Sequence, residues 1–142
     1  MTNDLINRLS KLDAPDREVD AKIAVALDLF EPQPNKGWPD KLDYGRREEN
    51  GSVTWPGHGF DQLIPRYTAS VDAAIALAAR VLPGWYWGIT QGDDGEDAIE
   101  FQGNVWPSTQ PYPADLEQYG YHKLPAVSLL IALLRAKEAS NA

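Results

Sequence analysis

The stretch "PGWYWGIT", residues 83–90, decides the fold. Pro83-Gly84 stops the segment before it, and "WYWGITQ" has the aromatic and β-branched content of a strand. "GDDGED" (92–97) reads as a turn and "AIEFQGNVW" (98–106) as the returning strand of an antiparallel hairpin. Neighbours in a strand point to opposite faces. Trp85, Trp87 and Ile89 therefore share one face, and Tyr86, Gly88 and Thr90 share the other. Phe101 alternates with Ile99 on the partner strand and packs beside the tryptophans. With helices over both faces, both sets are core, and each buried aromatic contributes at about 25 cal/mol per Å2. Tyr86 alone is open to a ligand, because Gly88 beside it leaves room above the sheet.

The flanking segments supply the helices. "YTASVDAAIALAARVLPG" (67–84) has Thr68 or Ser70 as its cap and Asp72 in its first turn. Val71, Ala74, Ile75, Ala78, Val81 and Leu82 share one face, and the other face is mostly alanine, so this helix packs closely on two sides. "LPAVSLLIALLRAKEA" (124–139) is the last helix, with Pro125 near its first position and Arg135 and Lys137 toward its negative end. It is apolar nearly all round, which implies either deep burial or a subunit contact. Its apolar run is about half of the ~20 residues that span a bilayer. At the start, Leu5, Ile6, Leu9 and Leu12 form a short amphipathic helix. "DAPDREVDAKIAVALDLF" (13–30) forms a second, with the stripe Val19, Ile23, Ala26, Leu27 and Phe30, ended by Pro32 and Pro34.

Two segments are loop-rich, 31–66 and 103–122. Within the first, "LDYGRREENGSVTW" (42–55) reads as a hairpin, with Asn50-Gly51 supplying positive φ angles. The second carries one helical turn around Asp115–Tyr119. The whole chain, 1–142, reads as a single α+β domain: an antiparallel sheet of about four strands sandwiched between α-helices.

Three segments together resemble the phage ABA sandwich domain: "DLINRLSKLDAPDREVDAKIAVAL" (4–27), "PRYTASVDAAIALAARVLPGWYWGI" (65–89) and "HKLPAVSLLIALLRAKEA" (122–139). The "YTASVDAA…LPGWYW" part is the most specific. The resemblance implies an antiparallel sheet between helices and a phage or prophage origin. It implies no catalytic residues.

Composition narrows the function. Hydrophobic residues make up 43% and charged residues 24%, an ordinary globular balance. The absence of cysteine removes disulfides, thiolate metal sites and a Cys nucleophile, and fits a reducing cytosol; the phage resemblance implies that this is the cytoplasm of a bacterial host. No signal peptide is visible. A net charge of −8 disfavours duplex nucleic acid and anionic membrane as partners. A small anion needs only two or three cations.

Catalytic patterns are missing. There is no phosphate-cradling GxxxxGK[ST], no GxGxxG after a strand and no GxSxG elbow. "GDDGEDAIE" fails the calcium-loop spacing. His58, His122 and Asp61 have the types of a two-histidine, one-carboxylate site, but nothing in their spacing demands one. Glu48, Glu49 and Glu100 carry no acid–base signature. The chain therefore reads as a non-enzyme without metal or cofactor.

Binding remains. Arg46, Arg47 and Arg66 have the chemistry to hold phosphates, with Trp55, His58, Trp106 and Tyr112 around them as stacking groups. Trp38, Tyr119 and Tyr121 add further aromatics in irregular segments. The competing reading is structural: Pro–aromatic contacts pin the loops, Arg46 and Arg47 pair with Glu48, Glu49 or other acids, and some aromatics form a homo-oligomer interface. The leading expectation is sequestration of a small anionic ligand such as a cyclic nucleotide defence signal. The alternative is a module that binds or inhibits a host protein. A concave site lined by Arg and aromatics favours the first, a flat exposed patch the second.

Overall fold

The computed structural model describes residues 2–32, 44–54, 64–93 and 99–140. The last helix, α4 (Pro125–Ser140), runs through its centre. Pro125 opens it where no N–H is needed, and Ser128 Oγ donates to the Pro125 carbonyl at 2.7 Å. Every residue from Ala126 to Leu134 is buried. One side of α4 packs on a sheet of β4 (Tyr86–Asp93), β5 (Ile99–Trp106) and β6 (Gln118–His122). The other side packs on α1 (Thr2–Ser10) and α3 (Val71–Val81). The all-round apolar character of this helix is thus explained within one chain, and the subunit contact expected as its other reading does not fall here.

The sheet order is β4-β5-β6, all antiparallel. Its inner face explains how α4 sits so close. Gly103 lies opposite Gly120. A Cβ on Gly103 would fall 2.5 Å from the Leu129 amide nitrogen, and one on Gly120 would fall 2.3 Å from the Ser128 carbonyl oxygen. Only hydrogen fits between strand and helix backbone at this point. Leu5, Ile6 and Leu9 of α1 and Ala74, Leu77 and Ala78 of α3 close the core from the far side.

A second antiparallel sheet contains β1 (Phe30–Pro32), β2 (Tyr44–Arg47) and β3 (Val53–Thr54), in that order. The β2–β3 hairpin matches the sequence reading, but Gly51 alone has positive φ, at 90°. Its amide donates to the Glu48 carbonyl at 3.0 Å, a turn completed by one left-handed glycine rather than two left-handed residues.

α2 (Arg17–Ala26) is shorter than its apolar stripe. Asp16 caps it, accepting from the amides of Glu18 and Val19 at 2.9 and 3.2 Å. Asp28 takes a φ of 61°. The Asp28 amide then reaches the Val25 carbonyl and the Leu29 amide the Ala24 carbonyl, at 3.0 and 2.9 Å, which ends the helix in a Schellman turn. Phe30, expected on the helix, leaves it and opens β1, still buried.

Ser70, not Thr68, caps α3, with its Oγ accepting from the Ala73 amide at 3.1 Å. Thr68 is used elsewhere. Its amide and hydroxyl donate to Asp20 Oδ1 at 2.8 and 2.7 Å. Asp20 is 1% exposed and pairs with Arg17 at 2.9 Å, while Arg17 also donates to the Ile64 carbonyl at 2.8 Å. This network pins residues 64–68 to α2. Burial, with Asp20 nearby, pushes the Tyr67 hydroxyl up to about 12.

The segment 103–122 is less irregular than expected. It contains the end of β5 and all of β6, and its helical turn is a 3-10 turn confined to Ala114–Leu116. The fold class is α+β, with an antiparallel sheet packed against helices. Those helices lie on one face of β4–β5–β6, and no helix among the described residues crosses the other face. None of the described helices is long and apolar enough to cross a membrane.

Candidate functional site

The outer face of β4–β5–β6 follows from strand parity. Because Gly103, Val105, Gly120 and His122 point under α4, the residues between them point away. Register then forms cross-strand rows: Tyr86 with Trp106, Gly88 with Asn104 and Tyr119, Thr90 with Gln102 and Tyr121. Tyr86 is 56% exposed and Tyr121 54%, and Tyr119 is also exposed. The rings of Tyr86 and Trp106 stand 5.8 Å apart at 56°, a tilted cross-strand pair. Asn104 lies over Gly88, where a Cβ would fall 2.8 Å from Asn104 Oδ1, so the space foreseen beside Tyr86 is taken by this amide. Glu117 sits at the rim. Its hydrogen bond raises the Tyr119 hydroxyl above the usual tyrosine value, and its Oε1 lies 3.5 Å from the Tyr112 hydroxyl. None of the three strands contains Lys or Arg.

The tryptophans of residues 83–90 need a correction. Trp87 lies opposite Val105, which is 1% exposed, yet Trp87 itself is 43% exposed. The cause is the position of α4, which lies over β5 and β6 and barely reaches β4. The cluster is therefore the edge of the core, with only Trp85 and Ile89 partly buried against it.

The predicted ligand residues separate into two places. Trp106 belongs to the outer face just described, and Tyr112 lies beside Glu117 at its rim. Arg46 and Arg47 lie on β2, on the other sheet. Arg46 Nε pairs with Glu48 Oε1 at 3.0 Å, and Glu48 also accepts from Thr54 Oγ1 at 2.8 Å. Arg47 Nη2 donates to Glu31, and its Nε is 2.9 Å from Asp28 Oδ1 but off the line of a hydrogen bond. Both guanidinium groups thus face carboxylates, as the structural reading anticipated. They line a groove of about 210 Å3 with an apolar floor of Leu29, Phe30 and Leu77, closed by Tyr67 and Arg80. Arg80 was missed in the sequence because it follows the alanine face of α3. Arg66 is exposed and has no ion pair among the described residues. Trp55 and His58, like Trp38 and Asp61, lie outside the described residues.

His122 is buried on the inner face, and its Nδ1 accepts from the Leu124 amide at 2.9 Å. Burial lowers its pKa from the ordinary 6.5, partly opposed by the Leu12 backbone. It is a packed histidine at the end of β6. Among the described residues, no group of three or more His, Asp or Glu side chains is placed to hold a metal ion.

No family model, no curated protein and no solved structure matches this chain.

Proposed function

We propose that this protein is a non-enzymatic binding module whose contact surface for a partner protein is the outer face of β4–β5–β6. The observation that carries the reading is the concentration of Tyr86, Trp106, Tyr119 and Tyr121 on one sheet face, uncovered by any described helix. Tyr and Trp are the residue types that dominate protein interfaces, and Lys is depleted there. Base stacking also uses aromatic sheets, but it needs cations for the phosphates, and these strands carry none. With Glu100 and Glu117 beside the aromatics and a chain charge of −8, the matching partner presents an apolar patch with a basic rim. Inhibition of a host protein fits this geometry, and a phage or prophage origin fits the quoted resemblance.

The test compares the wild-type chain with a Trp106→Ala/Tyr121→Ser variant as bait, followed by reconstitution from purified components. The expected result is one partner held by the wild type, lost by the variant and weakened by salt. A partner held equally by both would refute the face as the contact surface.

The groove beside Arg80 supports a second reading, binding of a small anion. Its ~210 Å3 is below the ~300 Å3 of ordinary ligand pockets. That volume suits a compact carboxylate or phosphate rather than a cyclic oligonucleotide. Calorimetry with such anions, lost in Arg80→Ala, would favour it; no heat with any of them would remove it.

A further inference from the structure

Among the described residues, β4 is an edge strand of its sheet. It is eight residues long, and it pairs with β5 without a bulge from Tyr86 opposite Trp106 to Asp93 opposite Ile99. Among the described residues nothing pairs with its other side. Proteins normally blunt such an edge with Lys, Pro, a bulge or a short strand. The sequence of β4, "YWGITQGD", has none of these, and its one charged residue is the terminal Asp93. Two other edges do, since β1 ends at Pro32 and β3 has two residues, while on β6 the Tyr119 carbonyl accepts from Arg135 at 2.7 Å. The exposed apolar side chains flank the open edge on both sides, Tyr86 on the outer face and Trp87 on the inner.

We infer that β4 pairs antiparallel with β4 of a second copy, about a two-fold axis normal to the sheet, to give a continuous six-stranded sheet. Such an axis keeps each face continuous, so residues of like parity must oppose each other. Thr90 is the outward residue nearest the strand's midpoint, and an axis there sets Thr90 opposite its counterpart and Asp93 opposite Trp87 of the second copy.

Charge favours this orientation. Each copy carries −8, and the acidic sequence "DGED" (94–97) directly follows Asp93, the last residue of β4. Antiparallel pairing sends the two acidic sequences to opposite ends, whereas parallel pairing would set them side by side. Area sets the strength. At about 3.4 Å per residue the strand is about 27 Å long. A strip of that length and about 10 Å deep is about 270 Å2 per copy, a third of the ~800 Å2 in a standard interface. Tyr86 and Trp87 enlarge it, and the result is a weak, concentration-dependent dimer. This inference stands apart from the proposed partner, since it uses the edge and not the face.

The native absence of cysteine makes the test clean. Sedimentation velocity of the full chain, from low micromolar to several hundred micromolar, is combined with oxidative cross-linking of Thr90→Cys and of Tyr121→Cys. Expected is a reversible dimer, a disulfide through Thr90→Cys because directly opposed strand residues have disulfide-compatible spacing, and little through Tyr121→Cys. Thr90→Lys, with two ammonium groups opposed across the axis, weakens the dimer at least tenfold at an unchanged melting temperature. A monomer throughout the range overturns the inference. Cross-linking through Tyr121→Cys alone also overturns it, and would indicate face-to-face association.

Discussion

Gly120 and Tyr121 are neighbours on β6, and they belong to opposite surfaces. Gly120, with Gly103 and Val105, lies beneath α4 with no space to spare. Tyr121, with Tyr86, Trp106 and Tyr119, lies on a face that no described helix covers. The inner face uses the smallest side chain to bring two backbones together. The outer face uses the largest ones without burying them. A three-stranded sheet over one helix needs only one apolar face, so the aromatics outside contribute little to folding. Their presence is a cost in solubility that the proposed binding role would explain.

The sharpest way to break this comparison is to add a methyl group beneath α4. Gly120→Ala and Gly103→Ala each drive Cβ into helix backbone, at 2.3 and 2.5 Å. Backbone cannot swing aside as a side-chain tip can, so the helix must lift. Each variant should lose about 3 kcal/mol or more of stability, read by urea unfolding. A loss below ~1 kcal/mol would mean that α4 does not sit on this glycine pair.

The sequence made the helices and the β4–β5 hairpin legible, because their signals are local: the stripes of α1 and α3, the continuous apolar run of α4, the Pro83-Gly84 stop, and the alternation around Trp87. The glycine pair was not legible, since opposing Gly103 and Gly120 requires the β5–β6 register, which spans a Pro-rich connection. β6 itself was hidden for a related reason. "QYGYH" alternates properly, but Tyr and Pro on both sides gave it the composition of a loop. The end of α2 was misplaced because Asp28 takes a left-handed conformation that glycine usually signals. For the candidate site, Trp106, Tyr112, Tyr119, Tyr121 and Tyr86 were each picked out, but their grouping at one face was not. Arg46 and Arg47 go to a different sheet. Long-range pairing, which short-range spacing does not encode, decided that division.

The inner face should also respond to pH through His122. Its folded pKa is depressed by burial, so the unfolded chain takes up a proton first as pH falls from 6.5. Its contribution to stability is therefore intact above 6.5 and is lost as pH drops through the lower folded value. Urea midpoints measured from pH 7.5 downward should decline over this window, and His122→Gln should flatten the decline. Asp13, Glu18 and Glu48 also have lowered pKa values, through partners such as Lys123, Arg8 and Thr54. Their ordinary values of 3.8 to 4.5 place their effect at lower pH. An equal slope in His122→Gln would assign the decline to other groups.

A methyl group added to the outer face should matter far less. Gly88→Ala places Cβ 2.8 Å from Asn104 Oδ1, the free end of a rotatable side chain. Asn104 can turn away, so the cost should stay within ~1 kcal/mol, against three times that beneath α4. An equal loss on the two faces would erase the contrast between a packed surface and an open one.

Tyr121→Ser should have the smallest effect on folding and the most specific effect on function. The side chain is half open, at 54%, and stability should change by no more than ~0.5 kcal/mol. A ring that anchors an interface, in contrast, contributes about 2 kcal/mol or more to binding, at least a tenfold change in affinity. Tyr86→Ser removes the tilted partner of Trp106 and should add a folding cost of about 0.5–1.5 kcal/mol that Tyr121→Ser lacks. Measuring both variants for unfolding and for partner affinity separates the two roles. If binding falls only in proportion to stability, the aromatics serve the sheet; if Tyr121→Ser binds poorly while melting like the wild type, they serve the partner.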